Sequence, residues 1–370
     1  MKKRFVEETI STSSGENPTQ NPTTQATTSE QAIETLVAAF EACTVTAEAL
    51  REKKIPERPK LLGEWLRHGD LGFIFAPRGR GKTWLSMAVA KALAKGQGAM
   101  VGGWIAQDPQ QVLYVDGEMN LDQTSAREKA LKEDTLGRLK FLHHDLLFLE
   151  KAKSLNLTDP LTQTALSRYI VKNGTTVLMM DNLSSLFYGL KENEADSWEL
   201  VLPWLLDLRR KGITVIIVHH SGTDGSRMRG TTKREDHAHW VMRLDSPKGG
   251  EADFGARFLA NFTKIRNCPP NAVPPIEFYF KPDGTADGEV TVEWAVIDSL
   301  EQFRLTLEQF GTANATEISE ETGFSKGYVS KLSRQGVREG WCVLDGRNYQ
   351  YKNPTQVQAG GSKERDFMPL

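Results

Sequence analysis

The chain has 370 residues, of which 39% are hydrophobic and 25% are charged, and its formal net charge is −2. These values are typical of a soluble globular protein with one large domain, or with a large domain and a small one. Because the net charge is slightly negative, any binding of nucleic acid must come from local basic patches.

The sequence carries no mark of a membrane or secreted protein. It has no run of about 18 apolar residues and no signal peptide, so we expect no membrane partner. Its three cysteines, Cys43, Cys268 and Cys342, are far apart and form no CxxC pair. This spacing argues against a disulfide framework and against a zinc site, and it suits the reducing cytoplasm. We therefore expect a cytoplasmic protein.

The two ends of the chain differ in composition from its middle. Residues 1–28 are rich in Ser, Thr, Gln and Asn, which predicts a disordered tail, and residues 354–370 are predicted to be a flexible tail. Residues 29–54 are predicted to contain a linker helix that Ser29 caps. Its apolar side chains on one face are Ile33, Leu36, Val37 and Phe40. That face packs either on its own domain or on a neighbouring subunit.

The middle of the chain, residues 55–300, alternates apolar runs with helical patterns. The predicted strands are 71–77, 112–116, 139–143, 175–181 and 213–220, and the predicted helices are 83–95, 123–138 and 160–172. Each of these strands is nearly all apolar, as a strand must be when both its faces are buried. The alternation predicts an α/β fold with a mostly parallel sheet covered by helices.

Residues 76–83 read APRGRGKT, which is the phosphate-loop pattern GxxxxGK[ST] with alanine in place of the first glycine. Gly79 and Gly81 let backbone N–H groups converge on a phosphate at the positive end of the following helix. Lys82 can reach the β- and γ-phosphates of ATP, and the Thr83 hydroxyl can bind Mg²⁺. The alternative is an ordinary glycine-rich turn, but the strand–loop–helix order indicates a P-loop NTPase core. The predicted nucleotide contacts are Arg78, Gly79, Arg80, Gly81, Lys82, Thr83 and Trp84.

A P-loop NTPase also needs a second metal ligand and a group that polarises water. Asp181 ends a predicted strand at the edge where the nucleotide lies, so we predict that it binds Mg²⁺ together with Thr83. Its alternative role is to cap the next turn. Glu118, just past another strand, is placed to act as the general base, with Asp116 as the alternative.

Two histidines, His219 and His220, end the predicted strand 213–220. Alternate residues of a strand point to opposite faces, so one of the two can face the γ-phosphate. We favour His220, which is closer to the following loop. The alternative is a buried histidine with a structural role.

The motifs APRGRGKT, VDGEM, VLMMDNLSSL and VIIVHHSG occur in an order and at spacings that resemble the RecA-fold ATPases of the hexameric helicase superfamily. The resemblance is to the plasmid replication helicases of the RepA type and more distantly to the DnaB type, and it covers about residues 55–295. It implies a RecA-like core in which Glu118 is the catalytic base and His220 senses the γ-phosphate. It also implies homo-oligomeric rings, expected to be hexamers, whose ATP sites are completed by an arginine of the neighbouring subunit.

The neighbour's arginine has more than one candidate. The stretch FTKIRNCPP resembles the DnaB-type motif KxRNGP, with Lys264 and Arg266 at the matching positions and Cys268 in place of the glycine. The stretch SRMRGTTKREDHAHWVMRLD resembles a RepA-type segment, but His239 stands where that family has its arginine.

An arginine suits this role because its planar guanidinium can neutralise charge spread over several phosphate oxygens. We favour Arg266, followed by Arg243 or Arg229. The alternative is a surface strand whose basic residues are simply solvated.

Rings of this kind hold DNA with loops that follow the metal-aspartate strand and the histidine strand, here residues 182–196 and 221–236. The second loop has four basic and three acidic residues, a net charge of 4 − 3 = +1. Its arginines Arg227 and Arg229 are predicted to contact single-stranded DNA in the ring channel. A solvated loop is the alternative.

Residues 301–353 form a separate small module that resembles a winged helix-turn-helix. Residues 316–322 are predicted to be a helix, Gly323 the turn, and 325–338 the recognition helix, which Ser325 caps. The stretch GWCVLDGRNYQYK is predicted to be a hairpin that turns at Asp345 and Gly346.

The recognition helix is predicted to turn Val329, Leu332 and Val337 inward. From 325 to 352 there are six Lys or Arg and two acidic residues, a local charge of +4. We therefore expect this module to bind duplex DNA, and its alternative role is to dock on a protein. The predicted DNA contacts are Lys326, Lys331, Arg334 and Arg347.

Together these features predict a ring-forming ATPase that depends on ATP and Mg²⁺ and acts on DNA. The favoured hypothesis is a replication helicase of a plasmid, phage or mobile element. The alternative is an ATP-switched, oligomeric DNA-binding regulator that does not unwind DNA. A small-molecule P-loop kinase fits less well, because the chain has no evident lid and such an enzyme has no use for a winged helix.

Overall fold

The computed structural model describes residues 22–190, 198–222, 227–229, 233–246, 255–284, 288–322, 324–353 and 368–369. They belong to two compact units, Met1–Glu57 and Arg58–Leu370. Some predicted features fall outside these residues. They are most of the two tails, the turn at Gly323 and parts of both predicted DNA loops. Among the helices that the structure describes, none is long and apolar enough to cross a membrane.

In the first unit, the described residues form the helices Pro22–Cys43 and Ala47–Glu52. The longer helix begins at Pro22 rather than at Ser29, as proline is favoured in the first turn of a helix. Thr46 caps the second helix, since its hydroxyl accepts a hydrogen bond from Ala49 N at 3.2 Å. The predicted apolar stripe is exposed, with values from 40% to 65% for Ile33, Leu36, Val37 and Phe40.

The second unit is built on a ten-stranded sheet. The strands of the chain are β1 (Lys60–Leu62), β2 (Leu66–Arg67), β3 (Leu71–Ala76), β4 (Met100–Val101), β5 (Trp104–Ile105), β6 (Val112–Asp116), β7 (Leu139–His143), β8 (Val177–Asp181), β9 (Thr214–His220), β10 (Trp240–Asp245), β11 (Ala256–Ile265), β12 (Ile276–Pro282), β13 (Val290–Val296), β14 (Thr312–Asn314), β15 (Cys342–Asp345), β16 (Asn348–Tyr351) and β17 (Met368–Pro369). In the part of this unit that the structure describes, the helices are Lys82–Lys95, Leu121–Ala130, His144–Lys151, Pro160–Lys172, Leu183–Leu186, Leu202–Arg210, Lys233–Asp236, Ser299–Phe310, Ala315–Thr322 and Lys326–Arg338, with a short 3₁₀ helix at Pro270–Ala272.

The strand order in the large sheet is β17-β13-β12-β11-β10-β3-β9-β8-β6-β7. Strands β10, β3, β9, β8, β6 and β7 run parallel. Strands β11, β12, β13 and β17 extend the sheet in antiparallel pairs. The α/β fold with a mostly parallel sheet is therefore confirmed, and it carries an antiparallel extension that the apolar runs did not predict.

Strands β3, β6, β8 and β9 are buried on both faces, as their apolar sequences predict, whereas β7 at the edge of the sheet is mostly half-buried. On one face, Ile74 of β3 and Met179 of β8 share a core with Leu85 of the helix Lys82–Lys95. On the other face, Phe73 and Met180 share a core that includes side chains of Pro160–Lys172 and Leu202–Arg210. Alternate residues of each strand thus enter opposite layers, which fixes the sheet between two helical layers.

The helix predicted at 123–138 is shorter in the structure and ends at Ala130. The chain then turns, and Leu136 and Gly137 both have positive φ angles, +50° and +73°, that an α-helix cannot contain. The sequence pattern of this helix continues past Ala130, because the turn that follows contains no proline to mark the end of the helix. The helices His144–Lys151 and Leu202–Arg210 were not predicted.

The C-terminal part of the second unit has its own apolar core. The helices Ser299–Phe310, Ala315–Thr322 and Lys326–Arg338 pack with a three-stranded sheet of order β14-β16-β15. Ser325 caps the last helix, as predicted, by accepting a hydrogen bond from Tyr328 N. The predicted hairpin is formed by β15 and β16, which pair antiparallel from Cys342↔Tyr351 to Asp345↔Asn348.

One buried position of this module differs from the prediction. Val337 is 43% exposed, and Gly336 takes the buried place beside it. A Cβ at Gly336 would lie 2.7 Å from Trp341, so only glycine lets the helix approach that ring. Since one residue advances the helix by about 100°, Val337 turns away from the core.

Candidate nucleotide-binding site

The phosphate loop lies between β3 and the helix Lys82–Lys95. Gly79 and Gly81 have φ angles of +74° and +90°, which favour glycine. A Cβ on Gly81 would lie 2.6 Å from Phe258 Cε1 and 3.0 Å from Ala256 Cβ, so the position also lacks room for a side chain. The loop therefore has the backbone shape that aims N–H groups at an anion.

Lys82 is buried under this loop. Its Nζ donates hydrogen bonds to Ala76 O at 3.1 Å and to Pro77 O at 2.9 Å. Burial lowers the pKa of Lys82, and the nearby carboxylates of Asp181 and Glu118 oppose that effect. The ammonium group is thus held at the centre of the loop by two carbonyl oxygens.

A cavity of about 460 Å³ opens on the loop. Its lining includes all seven residues predicted to contact the nucleotide, together with Glu118 and His220. Sequence reasoning missed two further polar side chains of the lining, Gln123 and Arg127. The Arg127 guanidinium lies 5.4 Å above the Trp84 ring, a contact between distant stretches that no local pattern signals.

Asp181 lies below the loop and is almost fully buried. Its Oδ2 accepts a hydrogen bond from Tyr114 OH at 2.8 Å, and the Thr83 hydroxyl also hydrogen-bonds to its carboxylate. Burial, aided by the negative charge of Asp116, raises the pKa of Asp181 to about 6, although both hydrogen bonds lower it. Its Oδ1 is buried and has no hydrogen-bond partner in the described part of the chain. A hydroxyl and a carboxylate oxygen are ligands that Mg²⁺ prefers, so this pair could hold the ion.

Asp116 and Glu118 differ in what surrounds them. Asp116 is buried, and its Oδ1 accepts hydrogen bonds from Glu118 N at 3.0 Å and Met119 N at 3.1 Å. Its Oδ2 accepts one from Thr124 Oγ1 at 2.6 Å. Glu118 is 39% exposed and lines the cavity. The geometry therefore favours Glu118 for contact with a water molecule and gives Asp116 the structural role of holding the turn.

The two histidines of β9 also differ. His219 is buried and its Nε2 lies 2.9 Å from Arg229 O and 3.0 Å from Arg234 Nη1. Burial and the positive charge of Arg234 lower the pKa of His219 to about 3, so it stays neutral. His220 lines the cavity, and its Nε2 lies 3.7 Å from Glu118 Oε1.

A residue that sequence reasoning did not single out joins this pair. Asn182 Nδ2 lies 3.1 Å from His220 Nε2 and donates a hydrogen bond to Glu118 Oε2. The only sequence signal is a polar side chain directly after the last residue of β8.

Arg266 lies at the edge of the sheet opposite its own phosphate loop. It follows β11, whose Ile265 pairs with Trp240, and Trp240 pairs with Gly72 at the start of β3. The phosphate loop follows the other end of β3. Arg266 is exposed, and its Nη2 donates a hydrogen bond to Asp236 O at 3.1 Å. It is therefore remote from the cavity of its own chain.

The other candidates for the neighbour's arginine have different surroundings. Arg243 is buried, and its guanidinium pairs with Asp245 at 2.8 Å and with Glu321. These contacts hold it inside the chain, so the structure speaks against Arg243 reaching another subunit. Arg229 is exposed. His239, which stands at the position of the RepA-type arginine, accepts a hydrogen bond from Leu71 N at the amino end of β3. Lys264 donates hydrogen bonds to the carbonyls of Glu235 and Asp236.

The predicted DNA contacts that the structure describes lie at the surface. The exposed residues of this set are Arg227, Arg229, Lys326, Lys331, Arg334 and Arg347. By contrast, Arg234 of the second loop is buried, with its guanidinium 5.5 Å from the Trp198 ring centre. It belongs to the core of the unit, so it is not available for the DNA contact predicted for Arg227 and Arg229.

Comparison with known proteins places this site in a family. A family of sequences described as an AAA domain matches residues 37–226, which is more than half of the chain and includes the phosphate loop, Glu118 and β9. The chain belongs to this AAA domain family. With the strand–loop–helix order and the parallel sheet, the match identifies a P-loop ATPase domain.

A solved structure also resembles this AAA protein. The crystal structure of the flagellar accessory protein FlaH from Methanocaldococcus jannaschii matches 61% of the chain and 90% of its own length, with 15% sequence identity and a TM-score of 0.41. No curated protein matches the chain.

Proposed function

We propose that this AAA protein is a ring-forming, Mg²⁺-dependent ATPase that moves on DNA, a replication helicase of a plasmid, phage or mobile element. The observation that carries the proposal is the convergence of Glu118 and His220, from the ends of two different strands, on one cavity with the phosphate loop. A site that only binds nucleotide needs no more than the phosphate loop. A site that hydrolyses ATP needs a base and a γ-phosphate contact as well.

Each group has a role in this proposal. Lys82 and the N–H groups after Gly79 bind the phosphates, and Thr83 and Asp181 would hold Mg²⁺, which would supply positive charge next to the phosphates. Glu118 accepts the proton of the attacking water, and His220 contacts the γ-phosphate. The buried, unpartnered Oδ1 of Asp181 supports the metal assignment.

The position of Arg266 supports a ring, expected to be a hexamer. An arginine at the amino edge of the sheet cannot serve the cavity at the opposite edge of the same chain, but it can enter the cavity of a neighbour. The exposed apolar stripe of the helix Pro22–Cys43 gives a second surface for contact between subunits.

Two sets of basic residues are proposed to contact DNA. Arg227 and Arg229 contact single-stranded DNA in the ring channel, since both are exposed after β9. The C-terminal module, residues 301–353, is proposed to be a winged helix that binds duplex DNA. Lys326, Lys331 and Arg334 lie on its last helix, and Arg347 lies in the hairpin turn.

An ATP-switched DNA-binding regulator is the second candidate. The observation that favours it is the ion pair between buried Arg243 on β10 and half-buried Glu321 on the helix Ala315–Thr322, which ties the module to the ATPase sheet. Through this pair, nucleotide binding could shift the module without any movement along DNA.

The experiment that separates the two measures ATPase rate with and without DNA, unwinding of a forked duplex, and oligomeric mass in one buffer. We expect DNA to stimulate hydrolysis and the fork to be unwound by an oligomer. ATP-dependent DNA binding with no strand displacement would support the regulator instead.

A further inference from the structure

Asn182 occupies the position between the two groups that the proposed mechanism uses. It follows β8 directly and is 1% exposed. Its Nδ2 donates a hydrogen bond to Glu118 Oε2 and lies 3.1 Å from His220 Nε2. One amide nitrogen therefore touches both the carboxylate and the imidazole, which are themselves 3.7 Å apart.

The other end of the Asn182 amide is anchored. Its Oδ1 accepts hydrogen bonds from Ser185 N at 3.1 Å and from Ser185 Oγ at 3.3 Å. A backbone N–H can only donate, so the oxygen must face the helix Leu183–Leu186 and the NH₂ group must face Glu118 and His220. The helix thus fixes the direction of both amide hydrogens.

We propose that Asn182 is a positioning residue that sets the Glu118 carboxylate relative to His220, and so couples contact with the γ-phosphate to alignment of the base. This inference rests on the proposed ATP hydrolysis. His220 Nε2 cannot accept a hydrogen from Asn182 and also donate one to a phosphate. Arrival of the γ-phosphate at Nε2 therefore changes the bonding of the amide that also holds Glu118.

The role predicts a specific kinetic result. Without the N–H donors, the Glu118 side chain is free to rotate, whereas the phosphate loop that binds ATP is unchanged. We expect kcat to fall about 10-fold to 100-fold, with the KM for ATP and the affinity for a fluorescent ATP analogue nearly unchanged.

Asn182→Asp is the main test variant, because it keeps the shape and an oxygen for Ser185 but loses both N–H donors. Ser185→Ala is the matched control, since it removes only the hydroxyl contact at 3.3 Å. We expect the control to keep kcat within about twofold of wild type, as a single neutral hydrogen bond contributes little. Wild-type kcat in Asn182→Asp would overturn the inference.

A second measurement separates coupling from a general structural defect. If Asn182 acts through His220 and Glu118, the double variant Asn182→Asp, His220→Ala should be no slower than the worse of the two single variants. If the two substitutions acted independently, their fold losses in kcat would multiply in the double variant. A loss of that size would contradict the coupling.

The contact between Asn182 and Glu118 can be tested by measuring thermal stability, which does not depend on ATPase activity. Asn182→Asp places two carboxylates side by side and should lower the melting temperature. In the double variant Glu118→Gln, Asn182→Asp, the amide and carboxylate are exchanged, so the hydrogen bond returns with reversed polarity. The melting temperature should recover, and a swap no more stable than the single variant would overturn the contact.

ATP hydrolysis and the role of Asn182 can be disproved separately. If the wild-type protein does not hydrolyse ATP, the proposed function is wrong, and the exchange of side chains still tests the contact. If the wild type hydrolyses ATP and Asn182→Asp does so equally well, only the role of Asn182 is wrong.

Discussion

Asp116 and Glu118 are separated by one residue, yet their carboxylates have different surroundings. The oxygens of Asp116 accept two hydrogen bonds from the turn that follows β6 and one from Thr124 of the next helix, and the carboxylate is fully buried. Glu118 reaches the cavity. At the residue scale, the proposal that Glu118 is the base therefore depends on the hydrogen bonds that already occupy the Asp116 carboxylate.

This difference gives a prediction for two variants. Glu118→Gln should bind ATP and hydrolyse it about 10² to 10⁴ times more slowly, because an amide cannot accept the proton of water. Asp116→Asn should mainly lower the free energy of unfolding, by about 1–3 kcal/mol, since it disturbs buried hydrogen bonds. Nucleotide binding, turnover and thermal melting distinguish the two effects. An active Glu118→Gln protein beside an inactive, well-folded Asp116→Asn protein would reverse the assignment.

Asp181 gives a prediction about pH. Its pKa is about 6 in the folded chain and 3.8 is its ordinary value. The folded state therefore binds the proton more tightly than the unfolded state between these values. The stabilising effect of that proton is complete below about pH 4 and is lost as the pH rises to about 6, by at most about 3 kcal/mol.

Asp181→Asn should remove this dependence. In metal-free and nucleotide-free buffer, the variant should gain stability relative to wild type as the pH rises from about 4 to about 6. Melting temperatures of both proteins across that range measure the difference. Parallel curves would show that Asp181 does not carry the raised pKa.

At the scale of elements, the parallel strands were predictable from sequence because burial on both faces requires an unbroken apolar run. The strands β3, β6, β8 and β9 all meet this condition. Strand β11 has alternating buried and half-buried positions and includes charged residues, so it gave no such run.

The site was predictable only in part. Its phosphate loop, carboxylates and histidines are marked by local motifs at strand ends. The contacts of Asn182 and the stacking of Arg127 on Trp84 join residues far apart in the chain, and no local pattern carries that information. Arg243 was a candidate for the neighbour's arginine because the sequence does not show its contact with Glu321, which lies 78 residues further along.

The Arg243 pair gives a prediction for the C-terminal module. Burial by itself lowers the pKa of Arg243, but Asp245 and Glu321 outweigh it and raise the pKa, so the group is charged inside the fold. Arg243→Ala leaves two partly exposed acidic groups without their cation and should lower the free energy of unfolding by about 1–3 kcal/mol. It should also expose the chain between β13 and the helix Ser299–Phe310 to limited proteolysis.

Arg304→Ala is the matched control for this variant. Arg304 pairs with Glu301 and Glu308 of its own helix, so its loss leaves the contact between module and sheet in place. Equal proteolysis of both variants would mean that the Arg243 pair does not hold the module.

At the scale of the whole molecule, the two edges of the sheet carry different groups. The carboxyl edge of the parallel strands carries the phosphate loop, Glu118 and His220, and the amino edge carries Arg266. If Arg266 has the role proposed for it, one chain holds two half-sites that cannot meet within it. The proposed ring brings the two half-sites together between neighbouring subunits.

A mixing experiment tests this claim most directly. Arg266→Ala should bind ATP with nearly wild-type affinity but not hydrolyse it, because the arginine stabilises charge that develops in the transition state. Lys82→Ala should be inactive because it lacks the partner of the phosphates. Mixed together, the two inactive proteins should recover part of the ATPase, since some interfaces pair an intact loop with an intact arginine. Hydrolysis by a monomer, or no recovery although labelled subunits exchange, would contradict a site shared between subunits.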